Sequence, residues 1–478
     1  MRLGIDFGTT RTLVAVVDRG NYPIATFENA DGDFQEWFPS LIAIRGDERC
    51  YGLDAVSKTV EADWTIHRSF KRSLGAIAPN GTLFGIPAAI VVGEFLTSLR
   101  EALENRSNLD LAGPLEAVIG VPANSNSNQR FLTMEGFRLA GFHVVGVYEE
   151  PVAAGIEYAH RYRKTEVARA REHLLVYDLG GGTFDCSLIR MSGHDHSVMT
   201  SSGIGQLGGD DFDQILLRMA GGLTLENSDR WLETCRIAKE RLNPNTRRIL
   251  LTLGDREVTI PANDFYTACA DLIDKTINVV EAVIEQVGGE STISGIYVVG
   301  GGSEFPLVAR ALRARFGRRV KKAAYAHAAT AVGLAIAADA QSEIQVERTF
   351  TRNFGVWREI ESGMVASFDT IFPKGSPIPS RAVRRYRPVH NVGHFRFLEC
   401  DSIDDGQRPI GDIAPWDNVF FPYESQLTDT AAEIPILPST PAQTAEVEEI
   451  YTCDENGIVR ATIRNLTAGY DRVYMLHR

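Results

Sequence analysis

The sequence predicts an α/β region of two duplicated halves over residues 1–340, a short linker over 341–350, and an all-β region over 351–478. Three observations carry this. Up to residue 340, strand-like apolar runs alternate with segments of helical period, the pattern of sheets covered by helices. Within that region a unit of strand, aspartate, glycine turn and strand occurs twice. Beyond 350 the helical period stops and short alternating runs replace it.

Taken in chain order, Leu3–Asp6 and Thr12–Asp18 read as strands flanking a glycine turn. Leu174–Asp178 and Phe184–Ile189 repeat them, the two aspartates lying 172 residues apart, and Ile296–Val299 is a further strand. Segments near 128–141, 151–164, 229–242, 262–287, 305–316 and 325–340 read as helices, the last because Ala323–Ala340 is alanine-rich with few turn signals. The polar stretch Gln341–Phe350 carries Ile344 and Val346 between polar residues and reads as a linker. After it, Asn353–Trp357, Met364–Phe368, His394–Leu398 and Glu448–Thr452 alternate as strands, while 381–445 is proline-rich and irregular. Asp454–Gly457 joins two such runs as a hairpin, because Asn-Gly tolerates positive φ.

Composition sets bounds on partners. The chain has 478 residues, enough for two or three domains, and 44% hydrophobic with 23% charged residues is the balance of a globular protein. A net charge of −13 disfavours nucleic-acid and anionic-membrane partners. The six cysteines form no Cys-x-x-Cys pair and are too sparse for a disulfide framework. There is no signal-peptide pattern and no apolar run near the length of a membrane span, so a cytoplasmic location is expected.

The glycine turns carry the chemistry. Backbone N–H groups in Gly8-Thr9-Thr10 and in Gly180-Gly181-Gly182-Thr183 can point at phosphate oxygens with no side chain intervening. Asp6 and Asp178 each end a strand and can hold hydrated magnesium, which takes one or two carboxylates and keeps several waters. One such turn alone is an ordinary hairpin with a capping aspartate; two matched copies point to a cleft that holds a metal-bound polyphosphate. Gly208-Gly209 before an acid-rich helix start, and Gly300 to Ser303 after a buried strand, are further turns of this kind. Neither a Walker loop nor the dinucleotide fingerprint is present.

In this order GIDFGTT, VPANSNSNQR, EEPVAAGIEYA, VYDLGGGTFD, LGGDDFD and VVGGGS resemble the motifs of the actin-like ATPases, and the full set is similar to the Hsp70 family. YTCDENGIVRATIRNLTAGY resembles that family's late substrate-domain hairpin, so the likeness covers nearly the whole chain. The resemblance implies a duplicated actin-like (ribonuclease H-like) ATPase domain, then an all-β sandwich domain that takes extended polypeptide, with ATP or ADP and Mg2+ as cofactors. It implies that Asp6 and Asp178 hold magnesium through water. Gly8, Thr9 and Thr10 would form the first phosphate turn and Gly180, Gly181 and Gly182 the second, with Gly208, Gly209, Lys239, Gly301, Gly302 and Ser303 completing the nucleotide site. Lys71, Glu150, Asp178, Thr183 and Asp185 match the catalytic positions; Pro122 and Arg130 match the switch proline and relay arginine. Unfolded polypeptide segments, with J-domain and nucleotide-exchange co-chaperones, are the implied partners.

Several positions depart from that pattern. Arg236 stands where the family has a ribose-contacting acid, and Glu240 where it has an adenine-stacking arginine; Arg241 lies one position on, about 100° round the helix. Glu304-Phe305 replaces an expected arginine, and His327 an acid. The segment from Asp213 to Lys239 is short, implying a reduced helical subdomain. The linker is less apolar than the family's, so looser coupling is expected. The chain ends eight residues after Tyr470, so no lid and rapid peptide exchange in both nucleotide states are expected. A nucleotide-binding scaffold with weak or no hydrolysis, and a small-molecule kinase of the same superfamily, are the alternatives; phosphate release without an acceptor separates the kinase from an ATPase.

Overall fold

The computed structural model describes every residue except 60, 62, 79, 112, 124, 163–172, 193–194, 222–227, 343–344, 347–348, 351, 361–364, 428–433, 456 and 477–478. The end of the helix read over 151–164, Ile344 of the linker, Met364 and Asn456 lie outside the described residues. The fold is mixed α/β. Two compact units form: Met1–Leu74, Leu83–Asn124 and Leu132–Val346 make the first, and Gly75–Thr82, Ser125–Phe131 and Glu347–Arg478 the second.

The first unit is built on two sheets. In one, Arg2–Phe7 pairs antiparallel with Arg11–Val16 and parallel with Glu116–Val121, which pairs parallel with His143–Glu149; Phe38–Pro39 closes the other edge. In the other, His173–Leu179 pairs antiparallel with Phe184–Ser192 and parallel with Ile293–Val299, which pairs parallel with Val320–Lys322. Asp195–Ile204 follows on the hairpin side, with Gln345–Val346 added at its edge. The central strands are near-continuous apolar runs because both faces are covered.

Helices Glu150–Tyr162 and Ala329–Ala338 pack on both sheets: Ala153 and Leu334 meet Val118 of the first, and Val152, Ile156 and Ile336 meet Leu174, Val176 and Val299 of the second. Their approach is close, since a Cβ on Gly333 would lie 1.8 Å from the Ala153 carbonyl oxygen. The far face of the second sheet is covered by helices Gly209–Met219, Ala262–Gln286 and Pro306–Phe316 through Phe212, Phe265, Ile273 and Leu312.

The alanine-rich helix is shorter than its composition predicts. Ala323–Ala328 stays outside it because its backbone is engaged with the neighbouring strand, Ala323 N–H donating to Val298 and Gly300 N–H to the Ala326 carbonyl. The sequence reading also passes over Glu116–Val121, His143–Glu149, Asp195–Ile204 and the helix Ala88–Asn105.

In the second unit, eight strands form two four-stranded antiparallel sheets. One is ordered Val365–Phe372, Asn353–Ile360, Val392–Ile403, Pro409–Pro422; the other Ser380–Tyr386, Val447–Cys453, Val459–Asn465, Tyr470–Met475. Phe354, Val356, Phe397 and Phe421 from the first share one apolar core with Tyr451, Val459 and Ile463 from the second. The stretch 381–445, irregular by alternation, contains strands of 12 and 14 residues. Their alternation is masked by register shifts opposite Arg396–Leu398 and Cys400–Ser402, and Pro415 falls at such a shift, where no ladder donor is needed. Among the described residues no helix is long and apolar enough to cross a membrane.

Candidate functional site

Two hairpin turns face each other in the first unit. Gly8 follows Asp6 and Phe7, its N–H donating to the Asp6 carbonyl at 3.0 Å; a Cβ there would lie 2.1 Å from the Arg11 carbonyl oxygen, so the tight turn requires glycine. In the second hairpin Gly180 N–H donates to the Thr183 carbonyl at 2.9 Å, and Asp178 lies directly opposite Asp185. The turns touch: a Cβ on Gly181 would fall 2.2 Å from Thr10 Oγ1, and one on Gly182 2.6 Å from Thr9 Cγ2.

The other two glycine segments converge on the second turn. Gly209 N–H donates to the Gly180 carbonyl at 3.0 Å and Asp210 N–H to the Gly181 carbonyl at 2.7 Å. The helix they begin, Gly209–Met219, is capped by Asp211, whose Oδ2 accepts from Gly208 N–H at 2.8 Å. Gly300 has φ +83°, a left-handed conformation that favours glycine, and its Cα points a would-be Cβ to within 2.3 Å of Asp178 Oδ1. Gly302 is buried against the Leu179 and Gly180 carbonyls, Gly301 lies beside His327, and buried Ser303 donates to the Gly300 carbonyl at 2.6 Å. Lys239 donates to the Gly209 carbonyl at 2.7 Å and sits 2.7 Å from Asp213 Oδ1. Burial pushes the Asp213 carboxyl up to about 6, although Lys239 and Arg236 oppose the rise.

Between the turns lies a cluster of charge. Lys71 Nζ donates to Glu150 Oε1 at 3.0 Å, and the ammonium is almost wholly buried, 5.3 Å from the Phe7 ring. Glu150 is fixed at the start of its helix, ahead of Pro151. Asp6 is partly buried. Burial first, then the Glu150 charge, lifts its carboxyl to about 7 against the pull of Lys71. Asp178 is raised well above the usual range by burial, then by Glu150, Asp185 and Asp6, again with Lys71 opposing. Asp6, Asp178 and Glu150 thus share the Lys71 ammonium, with Asp185 beside Asp178, and a divalent cation is the charge such a set fits. Among the described residues no group of three or more His, Cys, Asp or Glu is placed to hold a metal ion directly.

Not every residue singled out in the sequence joins this cluster. Pro122 follows the strand Glu116–Val121 in the first unit. Arg130 belongs to the second unit, where its Nε donates to Ser125 Oγ at 3.1 Å and its Nη1 lies 3.8 Å from where a Cβ on Gly457 would be.

Sequence reasoning gave no role to two residues at the turns, Arg72 and Ser69, and no partners to Arg236, His327 and Glu240. Arg72 donates to the Gly182 carbonyl and lies 3.6 Å from Asp211 Oδ2; its adjacency to Lys71 was the available signal. Ser69 Oγ donates to Asp210 Oδ2 at 2.6 Å. Arg236 is held by acids, 3.3 Å from Asp210 and from Glu233 and 3.7 Å from Asp213. His327 has Glu36 Oε2 at 2.9 Å and Glu304 Oε1 at 3.5 Å, and its hydrogen bond to Glu304 raises its affinity for the proton. Glu240 receives both its carboxylate contacts from Arg11, at 2.7 and 2.8 Å, across 229 residues of chain, which no local pattern announces.

The profile of the family described as Hsp70 protein matches residues 86–350. The chain is similar to the chaperone protein HscA homolog of Polynucleobacter asymbioticus, with 30% identity over 79% of this chain and 64% of the relative. It is 32% identical to the HscA homolog of Polynucleobacter necessarius over 70% of this chain and 58% of the relative, and 29% identical to that of Shewanella denitrificans over 98% and 77%. The chain therefore spans under two thirds of the first two relatives. A family profile covering more than half of the sequence, together with relatives of 30% and 32% identity over more than two thirds of it, shows that the chain belongs to the Hsp70 family.

Proposed function

We propose that the protein is an ATPase of the Hsp70 type that couples hydrolysis of magnesium-ATP to the binding of unfolded polypeptide. In this reading residues 1–340 are a duplicated actin-like nucleotide domain, 341–350 a linker, and 351–478 a β-sandwich that takes extended segments by main-chain pairing. The five strands of the first sheet follow the same order as five of the six in the second, Gln345–Val346 being the addition, which supports the duplication. The observation that carries the function is the pair of aspartates, Asp6 and Asp178, at matched hairpins with Lys71 and Glu150 beside them.

In the proposed site the turns at Gly8–Thr10 and Gly180–Thr183 grip the phosphates through backbone N–H groups, and the helix start at Gly209 adds its dipole. Asp6 and Asp178 would hold magnesium, which when bound neutralises the phosphate oxygens. Lys71, oriented by Glu150, stabilises charge at the γ-phosphate, while Thr183 and Asp185 orient the attacking water. Water adds to the γ-phosphorus as the bond to the ADP oxygen breaks, and its proton leaves with the phosphate. Pro122 and Arg130 would relay nucleotide state, and J-domain and exchange factors would act on the cycle. The six free cysteines suit a reducing, cytoplasmic setting.

Single-turnover hydrolysis of ATP, with and without an unfolded peptide and with no other acceptor, tests this. Phosphate release that the peptide accelerates supports the reading. Thermal stabilisation by ATP with no phosphate release leaves only a nucleotide-binding scaffold.

A further inference from the structure

We propose that Arg11 is the platform on which the nucleoside ring of the bound triphosphate stacks, with Trp37 and Glu240 holding it in place. The inference rests on the reading of the cleft as a nucleotide site and names how that site recognises the part of the ligand beyond the phosphates.

The geometry is specific to this rim of the cleft. Arg11 directly follows Thr10, the last residue of the first glycine turn, so its side chain starts where the phosphate turn ends. Its guanidinium carbon lies 4.0 Å from the centroid of the Trp37 ring. Both oxygens of Glu240 then take the same terminal nitrogen, at 2.8 and 2.7 Å. Glu240 in turn follows Lys239, whose Nζ is fixed on the Gly209 carbonyl beside the second turn. A flexible cation is thereby anchored from both sides of the cleft. The side chain of Arg11 is 23% exposed.

A surface ion pair alone does not call for an indole beneath it, because exposed pairs contribute little to stability. A guanidinium lying on an aromatic ring has one planar face covered and the other free for a second flat, polarisable group. A purine is such a group, and the phosphate turn next to Arg11 sets its distance from the triphosphate. Stacking of this kind reads the ring face rather than its hydrogen-bonding edge, so adenine and guanine both profit. It gives an affinity for nucleotide over bare polyphosphate that the glycine turns, which contact phosphate only, cannot supply.

The test compares magnesium-ATP with magnesium tripolyphosphate, which carries the phosphates without nucleoside, by calorimetric titration of the full chain. Arg11→Ala is expected to weaken ATP about tenfold, the loss of one stacking contact, and to leave tripolyphosphate within about twofold. Arg11→Lys, which keeps the charge and loses the plane, is expected to behave in the same direction and serves if the alanine variant folds poorly. Equal weakening of both ligands would show Arg11 acting as a charge on the phosphates and would overturn the inference, as would no change in either. Wild-type protein that binds neither ligand would overturn the nucleotide reading itself, a result distinct from an Arg11 variant that retains its full preference for ATP.

Discussion

A carboxyl group that holds its proton until about pH 7 in the fold, against a usual value of 3.8, couples stability to pH in an unusual direction. Between about pH 4 and 7 folded Asp6 binds a proton that the unfolded chain has released, so stability is full below this window and falls as pH rises through it. Asp178, raised for the same physical cause, adds in the same sense. Asp6→Asn, which cannot ionise, is expected to be more stable than wild type at about pH 8 and to show a shallower fall from about pH 5 to 8 in urea denaturation. A variant with an unchanged slope would show that Asp6 titrates as an ordinary carboxylate. Lys71 tests the chemistry rather than the stability of the same cluster. Its ammonium is held against Glu150, and a positioned charge of this kind is worth about a hundredfold or more in rate. Lys71→Ala is expected to lose single-turnover hydrolysis by that factor while calorimetry still registers ATP binding; a variant hydrolysing at the wild-type rate refutes the role.

At the scale of elements, the hairpins and the large helices were legible because their signals are local. Asp6 and Asp178 each precede a glycine turn within a few residues, and the Ala262–Gln286 helix has many turns over which its period repeats. What the sequence hid depends on distant partners. The start of the alanine-rich helix is set by backbone bonds to Val298 and Gly300, and the long strands of the second unit are disguised by their bulges. Gly300 was marked by the glycine turn it opens, whereas the bond from Arg72 to Gly182 spans 110 residues and only its neighbour Lys71 hinted at it. Gly333 is another such position: in sequence it is a weak point in a helix, and in the fold it lets Ala329–Ala338 cross Glu150–Tyr162 in backbone contact. Gly333→Ala is therefore expected to destabilise the protein by about 3 kcal/mol or more in chemical denaturation, despite alanine's higher helix propensity. A stabilised variant would show that the two helices can separate freely.

At the scale of the whole molecule, the two turns come from different sheets joined by a long stretch of chain, so a ligand that grips both ties the first unit together. Without that ligand, ionising Asp6 and Asp178 opposes folding, first because they are buried and then because Glu150 and Asp185 lie beside them. In the proposed magnesium-nucleotide complex the same carboxylates would become favourable partners. Folding and binding are then linked: ligand at a hundred times its Kd stabilises the folded form by about 2.7 kcal/mol if it binds only that form. Denaturation of the first unit's transition in magnesium-ATP is expected to shift by this amount. Asp178→Asn is expected to lose most of the shift while folding to the same sheet, because the amide relieves the repulsion but cannot hold the cation's waters as a carboxylate does. Magnesium without nucleotide is expected to give only a small part of the shift, since the backbone turns then hold nothing. A full shift with the Asp178 variant would place the ligand away from the paired hairpins and sever the link between the cleft and the fold's stability.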